Sequence, residues 1–151
     1  MGSQEGGYLR MITEKDLKQI GWMKQSLDNI ELQINLLTES MQLHGVTYDG
    51  DRVATSKQDR MAEYVAKMTD LQDKWRAKRL RLENLKLKVD TELEKLEPEQ
   101  ANIIRMRYIN LWGWKKVCRK ANMSYTTAKR VMAAGKAALF GQEKTAGKQG
   151  R

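Results

Sequence analysis

Between Met61 and Val89, apolar side chains return every three or four residues. The series is Met61, Tyr64, Met68, Leu71, Trp75, Lys78, Leu82, Leu85 and Val89, broken only by Lys78, and Leu93 and Leu96 continue it. Steps of three and four close one stripe on an α-helix and cannot be placed on one face of a strand. A second run does the same: Met23, Leu27, Ile30, Ile34, Leu37 and Met41. Each stripe is the width of a coiled-coil or helical-hairpin seam and must be covered. The chain is therefore expected to be all-α, opening on an N-terminal antiparallel helical hairpin.

The breaks between the runs set the element boundaries. The first helix is expected from Tyr8 to Leu43, with Gly21 weakening its first half because glycine costs about 1 kcal/mol in a helix. The stretch His44–Thr55, HGVTYDGDRVAT, is rich in turn formers. Ser56, with Asp59 three residues later, is expected to cap the second helix. That helix should end near Leu96, because Pro98 disfavours helical backbone at Glu97. Residues 1–7 carry no pattern and are expected to be disordered. The hairpin domain is thus drawn as 8–97. Its core is thin, so a third partner is expected, either another copy or the C-terminal unit.

Charge divides the chain at the same place. Residues 1–97 hold 16 Lys and Arg against 17 Asp and Glu; residues 98–151 hold 12 against 2. The whole excess lies in the last third, where it would attract a polyanion. The cations of the second helix (Lys74, Arg76, Lys78, Arg79, Arg81, Lys86, Lys88) read instead as a solvated face, in preference to a second phosphate-contacting surface.

The C-terminal third has a spacing of its own. Pro98 suits the first turn of a helix, and Ile103, Ile104, Met106, Tyr108 and Ile109 carry that helix to about Asn110. A short helix over Trp114–Ala121, a turn at Asn122–Met123 and a longer helix from Ser124 to about Phe140 follow. A helix-turn-helix needs a small residue where its helices cross, a left-handed residue four positions on, an apolar plug after the turn and two packing positions beyond. Here those are Cys118, Asn122, Met123, Ala128 and Val131, with Val117 and Ala121 completing the inner face and Ser124 placed to cap. Residues 98–140 are accordingly drawn as a three-helix helix-turn-helix module and 141–151 as a flexible basic tail.

That register leaves Ser124, Tyr125, Thr126, Lys129, Arg130 and Ala133 on the outer face of the second helix, which enters the major groove by its N-terminal half. Tyr125 and Thr126 offer hydrogen bonds or methyl contacts, and Lys129 and Arg130 reach guanine edges or phosphates. Lys115, Lys116, Arg119 and Lys120 would lie over the DNA backbone, with Lys136 further along. A basic protein-binding module is the bland alternative. Cys118 reads as a packing residue rather than a redox sensor, and Trp112 and Trp114 as core anchors rather than base-stacking platforms.

The stretch LEPEQANIIRMRYINLWGWKKVCRKANMSYTTAKRVMAAGKAAL resembles region four of bacterial sigma factors, which reads the −35 promoter element. Leu96–Tyr108 looks like that family's opening helix, with its Leu-x-Pro-x-Gln start and Arg-x-Arg-Tyr finish. The layout of the whole chain resembles small phage and prophage regulators of the ArpU/RinA late-activator kind. The sigma family usually has Ala at Cys118, Gly at Asn122 and a β-branched residue at Ala128, and all three replacements suit the same geometry. Regions that melt DNA in a full sigma factor have no counterpart here.

The resemblance implies a double-stranded DNA-binding transcription regulator, a phage-type activator, in the cytoplasm of a bacterial host and associated with its nucleoid. The hairpin would serve as a homo-oligomer contact or touch RNA polymerase. A phage DNA-packaging adaptor, like a small terminase subunit, is the alternative. No cofactor, metal, membrane or enzymatic role is expected. The single histidine, His44, and single cysteine exclude a histidine triad, a multi-histidine site or a cysteine pair, and no phosphate loop is present.

Overall fold

A computed structural model describes residues 12–47 and 54–149, without the side chains of 44–47, 54–57 and 142–149. The described residues form five helices and no strand: α1 (Glu14–Thr47), α2 (Ala54–Leu93), α3 (Pro98–Ile104), α4 (Trp114–Ala121) and α5 (Tyr125–Gln149). The expected disorder of residues 1–7 falls outside the described residues.

The first helix starts later than expected. Ile12 and Thr13 are not helical, and Thr13 caps α1. The Asp16 N–H donates to Thr13 Oγ1 at 3.3 Å, and the Thr13 N–H donates to Asp16 Oδ2 at 3.0 Å. This reciprocal pair satisfies two of the donors a helix start leaves open, and Glu14 and Asp16 add charge that suits the positive end of the helix dipole. At its other end α1 runs on to Thr47, and α2 begins at Ala54 rather than after a cap at Ser56. Residues 44–47 and 54–55 of the expected loop are therefore helical, and residues 48–53 lie outside the described residues.

The chain divides into two compact units, and the division does not fall at residue 97. It passes through both long helices. One unit is Met23–Leu82; the other joins the residues up to Trp22 with those from Glu83 onward. The expected boundary missed that the ends of the long helices belong to the C-terminal core.

In the Met23–Leu82 unit, Leu27, Ile30 and Leu82 are buried, while Ile34, Leu37, Met41, Tyr64, Met68, Leu71 and Trp75 are half-buried. The Ser40 and Tyr64 hydroxyls lie 3.1 Å apart across the seam. Leu37 and Leu71 share a groove nearby. Moving back along α1 from Ser40 to Leu37 thus moves forward along α2 from Tyr64 to Leu71, so the pair is antiparallel.

The other unit holds the densest packing. Leu17 and Ile20 of α1, Val89 and Leu93 of α2, Ile103 and Ile104 of α3, Val117 of α4 and Ala128 of α5 are all fully buried. α2 stops at Leu93, three residues before the expected end, in a turn closed by Lys95 N–H to Glu92 O and Leu96 N–H to Leu93 O. Glu97 is extended (φ −58°, ψ 144°), as a residue before proline must be. α3 then widens into a π-turn over Arg105–Ile109 and ends with Leu111 in left-handed backbone at φ 60°.

α3 and α5 approach closely at Gly135. A Cβ there would stand 2.9 Å from Ile104 Cδ1 and 3.0 Å from Gln100 Cβ. α5 leaves helical dihedrals at Phe140 (φ −119°, ψ 15°), where the sequence suggested an end, but resumes to Gln149. Residues 141–149, expected as a flexible tail, are therefore helical.

Candidate nucleic-acid interface

α4 is short and strongly two-sided. Val117 is fully buried, and Cys118 and Ala121 are half-buried against it. Lys115, Lys116, Arg119 and Lys120 are exposed on the opposite side. With 3.6 residues per turn, the order Lys-Lys-Val-Cys-Arg-Lys-Ala puts its apolar members together and its cations outward.

The turn after α4 follows from one residue. Asn122 has φ 60° and ψ 46°, the left-handed conformation that asparagine tolerates better than most. The reversal lets the Asn122 N–H donate to Arg119 O at 3.3 Å and the Met123 N–H donate to Cys118 O at 3.0 Å. That pair of bonds is a Schellman motif, which ends a helix while satisfying its last carbonyls. Its usual apolar clasp is present too: Met123 packs into the core cluster that holds Val117 and Cys118.

Ser124 starts α5. Its Oγ accepts from the Thr127 N–H at 3.2 Å and donates to Thr127 Oγ1 at 3.0 Å. Ala128, at 0% exposure, then packs on Ile103 and Val117, with Val131 beside them. All seven expected packing positions, Val117, Cys118, Ala121, Asn122, Met123, Ala128 and Val131, thus occupy the inner face or the turn. Cys118 is a free, half-buried thiol within this packing.

Of the expected contact residues, Ser124, Tyr125, Thr126, Lys129, Arg130 and Ala133 are exposed on α5, as are Lys115, Lys116, Arg119 and Lys120 on α4. Among the described residues no carboxylate pairs with any of these six cations. Ser124 has its hydroxyl committed to the helix cap, so its contribution outward is limited to its backbone and Cβ. Arg130 also borders a groove of about 360 Å³ with Glu97 and Glu99 on its rim. Carboxylates on that flank make the α4 side of Arg130 the more favourable one for a polyanion.

Lys136 is a correction. It was expected with the DNA-backbone contacts further along the helix, yet its side chain is only 14% exposed and its Nζ lies 2.7 Å from Glu14 Oε2 and 3.2 Å from the Tyr108 hydroxyl. Burial works against its charge, but the bonds to Glu14 and Tyr108 more than offset that, and its pKa lies above the ordinary lysine value. Lys136 fastens α5 to α1 and to the π-turn after α3, and is not available to a ligand.

Sequence reasoning also passed over a chain of stacked groups. Trp112 and Trp114 are half-buried against the core cluster, as expected of anchors. In addition, the Arg107 guanidinium lies 4.8 Å from the centre of the Trp114 ring while its Nη1 donates to Trp112 O at 2.7 Å. Trp114 meets Tyr125 edge-on, ring centres 5.5 Å apart, and Lys129 Nζ sits 5.2 Å over the Tyr125 ring. Lys116 covers Trp112 at 4.2 Å. The Arg-x-Arg-Tyr segment was the only visible signal, and spacing does not say which ring an arginine will cover.

Among the described residues, no cluster of three or more His, Cys, Asp or Glu is placed to hold a metal ion, and no helix is long and apolar enough to cross a membrane. Compared with known proteins the chain has no match: no family model, no curated sequence and no solved structure matches it.

Proposed function

We propose that this chain is a sequence-specific, double-stranded DNA-binding transcription regulator, with α5 as the helix that enters the major groove. The observation that carries the reading is the Asn122 turn. It joins a packed, cation-faced α4 to a capped α5 whose first two turns expose Tyr125, Thr126, Lys129 and Arg130. A short helix and a longer one packed on a shared apolar core, with the second one's N-terminal half open and basic, suit groove entry. Lys115, Lys116, Arg119 and Lys120 then take phosphates, and Arg130 and Lys129 take base edges or phosphates. The family resemblance of the sequence adds a phage-type activator acting in the bacterial cytoplasm.

In this reading the hairpin assembles copies of the chain. Leu32 and Leu36 are more than half exposed, and their spacing puts them on one face of α1, away from the Leu27–Met41 seam. Leucines left open in this way favour an apolar partner. The packaging-adaptor alternative predicts a large ring instead of a small oligomer, and light scattering separates the two. A polymerase contact through the hairpin without DNA binding predicts no salt-dependent affinity for duplex DNA.

The test is selection of bound duplexes from random sequence. The proposal expects one enriched motif, protected in footprinting, with preference lost in Arg130→Ala and Tyr125→Ala. Equal binding to all sequences, unchanged in both variants, counts against it.

A further inference from the structure

The stacked groups behind α5 lead past the contact residues themselves. The geometry points to Arg107 and Trp114 as positioning residues that set base preference through Tyr125 and Lys129, without touching DNA. This rests on the proposed reading of α5 as the groove helix.

Four groups form one continuous series: Arg107 on Trp114 at 4.8 Å, Trp114 edge-on to Tyr125 at 5.5 Å, and Lys129 over Tyr125 at 5.2 Å. The inner end is fixed. Arg107 is held by its bond to Trp112 O, and its Nε is buried with no hydrogen-bond partner. A buried, unmade donor is costly, so this placement is not what local hydrogen bonding alone would select. It is the placement that brings the guanidinium to 4.8 Å from the centre of the Trp114 ring. The outer end is open, since Tyr125 is 52% exposed and Lys129 is exposed.

The consequence is mechanical. Tyr125 stands at the first position of α5, where backbone constraint is weakest, and Trp114 is the ring it leans on. Lys129 in turn leans on Tyr125. A tyrosine and a lysine free to swing contact many sequences about equally. Held at one angle, they distinguish base edges, because groove discrimination depends on donor and acceptor placement. Lysine cannot replace arginine at 107, since a compact ammonium lacks the planar face and the second arm that reaches Trp112 O.

The experiment uses the full chain and the duplex that it selects from random sequence, set against a scrambled duplex. Affinities of the unaltered chain, Arg107→Lys, Arg107→Gln and Tyr125→Phe are measured by fluorescence anisotropy over a salt series. Thermal unfolding and the Tyr125 ring-proton resonances are followed in parallel. The expected result is that Arg107→Lys and Arg107→Gln still fold, move the Tyr125 ring resonances, and keep the salt slope. Their preference for selected over scrambled duplex falls by about tenfold, the scale of one lost base contact. Tyr125→Phe keeps its ring but loses the hydroxyl, so its preference falls to a similar extent while its fold is retained.

Three results overturn the inference. One is a preference unchanged in both Arg107 variants. Another is an equal loss on both duplexes, which marks a merely structural role. The third is a salt slope smaller by about 0.9, which marks Arg107 as a phosphate contact. If the unaltered chain itself shows no preference among sequences, the groove-helix reading fails as well, whereas a preference that survives in both variants overturns the positioning role alone.

Discussion

Replacing Asn122 should grade the stability of the whole C-terminal unit in a fixed order. The residue holds φ 60° and ψ 46°, and a left-handed conformation costs an ordinary residue roughly 1–2 kcal/mol, less for asparagine and nothing steric for glycine. Asn122→Gly removes that strain but adds backbone freedom to the unfolded chain, for a net change of about 0 to +1 kcal/mol in stability. Asn122→Ala loses about 1 kcal/mol. Asn122→Val either accepts about 2 kcal/mol of strain or opens the turn. Opening forfeits the bonds from the Asn122 and Met123 N–H groups, near 1 kcal/mol each, and uncovers part of Met123. Both routes put the loss at about 2 kcal/mol or more. For a chain of this size that lowers Tm by about 4–8 °C. Circular-dichroism melts of the three variants give the order Gly ≥ Asn > Ala > Val, and DNA affinity should follow the same order. A valine variant as stable as the parent, or a glycine variant below alanine, would refute the argument that the left-handed turn organises this unit.

Other outcomes follow from single contacts. Gly135→Ala should destabilise by a net ~1 kcal/mol despite alanine's better helix propensity, because the new methyl meets Ile104 Cδ1 at 2.9 Å and Gln100 Cβ at 3.0 Å; adding Ile104→Val should restore part of the loss in a thermal melt. Lys136→Gln should lower Tm yet leave the salt slope of DNA binding unchanged, whereas Arg119→Ala should lower the slope by about 0.9 with little effect on Tm. Because folding raises the Lys136 pKa, its charge stabilises the protein at neutral pH, and that contribution disappears as pH climbs through and above about 10.4; alkaline melts of Lys136→Gln should lack that part of the decline. Leu36→Lys places a charge on the open leucine face of α1 and should reduce the mass of any assembly measured by light scattering.

The helices were legible because their stripes are strictly periodic, and the turn because Asn122 and Ser124 are locally decisive. Cys118, Met123, Ala128 and Val131 fell on the inner face for the same reason: a register needs no knowledge of distant chain. What sequence did not reveal is tertiary. The Thr13–Asp16 pair has capping chemistry visible in the sequence, but the helix is drawn from Tyr8 without it. Lys136 shares a helical face with Lys129, and only the arrival of Glu14 from more than a hundred residues away converts it from a ligand contact into a fastening. The unit boundary was misplaced because Leu17, Ile20, Val89 and Leu93 look like ordinary seam positions until the core they join is seen. Arg107 and Trp114 are both visible in the sequence, but no spacing rule pairs a guanidinium with a particular ring.

The central claim is that α5 reads duplex DNA from a surface lined by the cations of α4. The most direct measurement is the affinity of the unaltered chain for a duplex selected from random sequence, over a salt series, beside Arg130→Ala. The account predicts one enriched motif and a log–log salt slope of about −3.6 to −5.4, as four to six phosphate contacts require. It also predicts that Arg130→Ala loses preference at one base step, by about 1–3 kcal/mol. A selection that enriches no motif, or an affinity indifferent to salt, would contradict it.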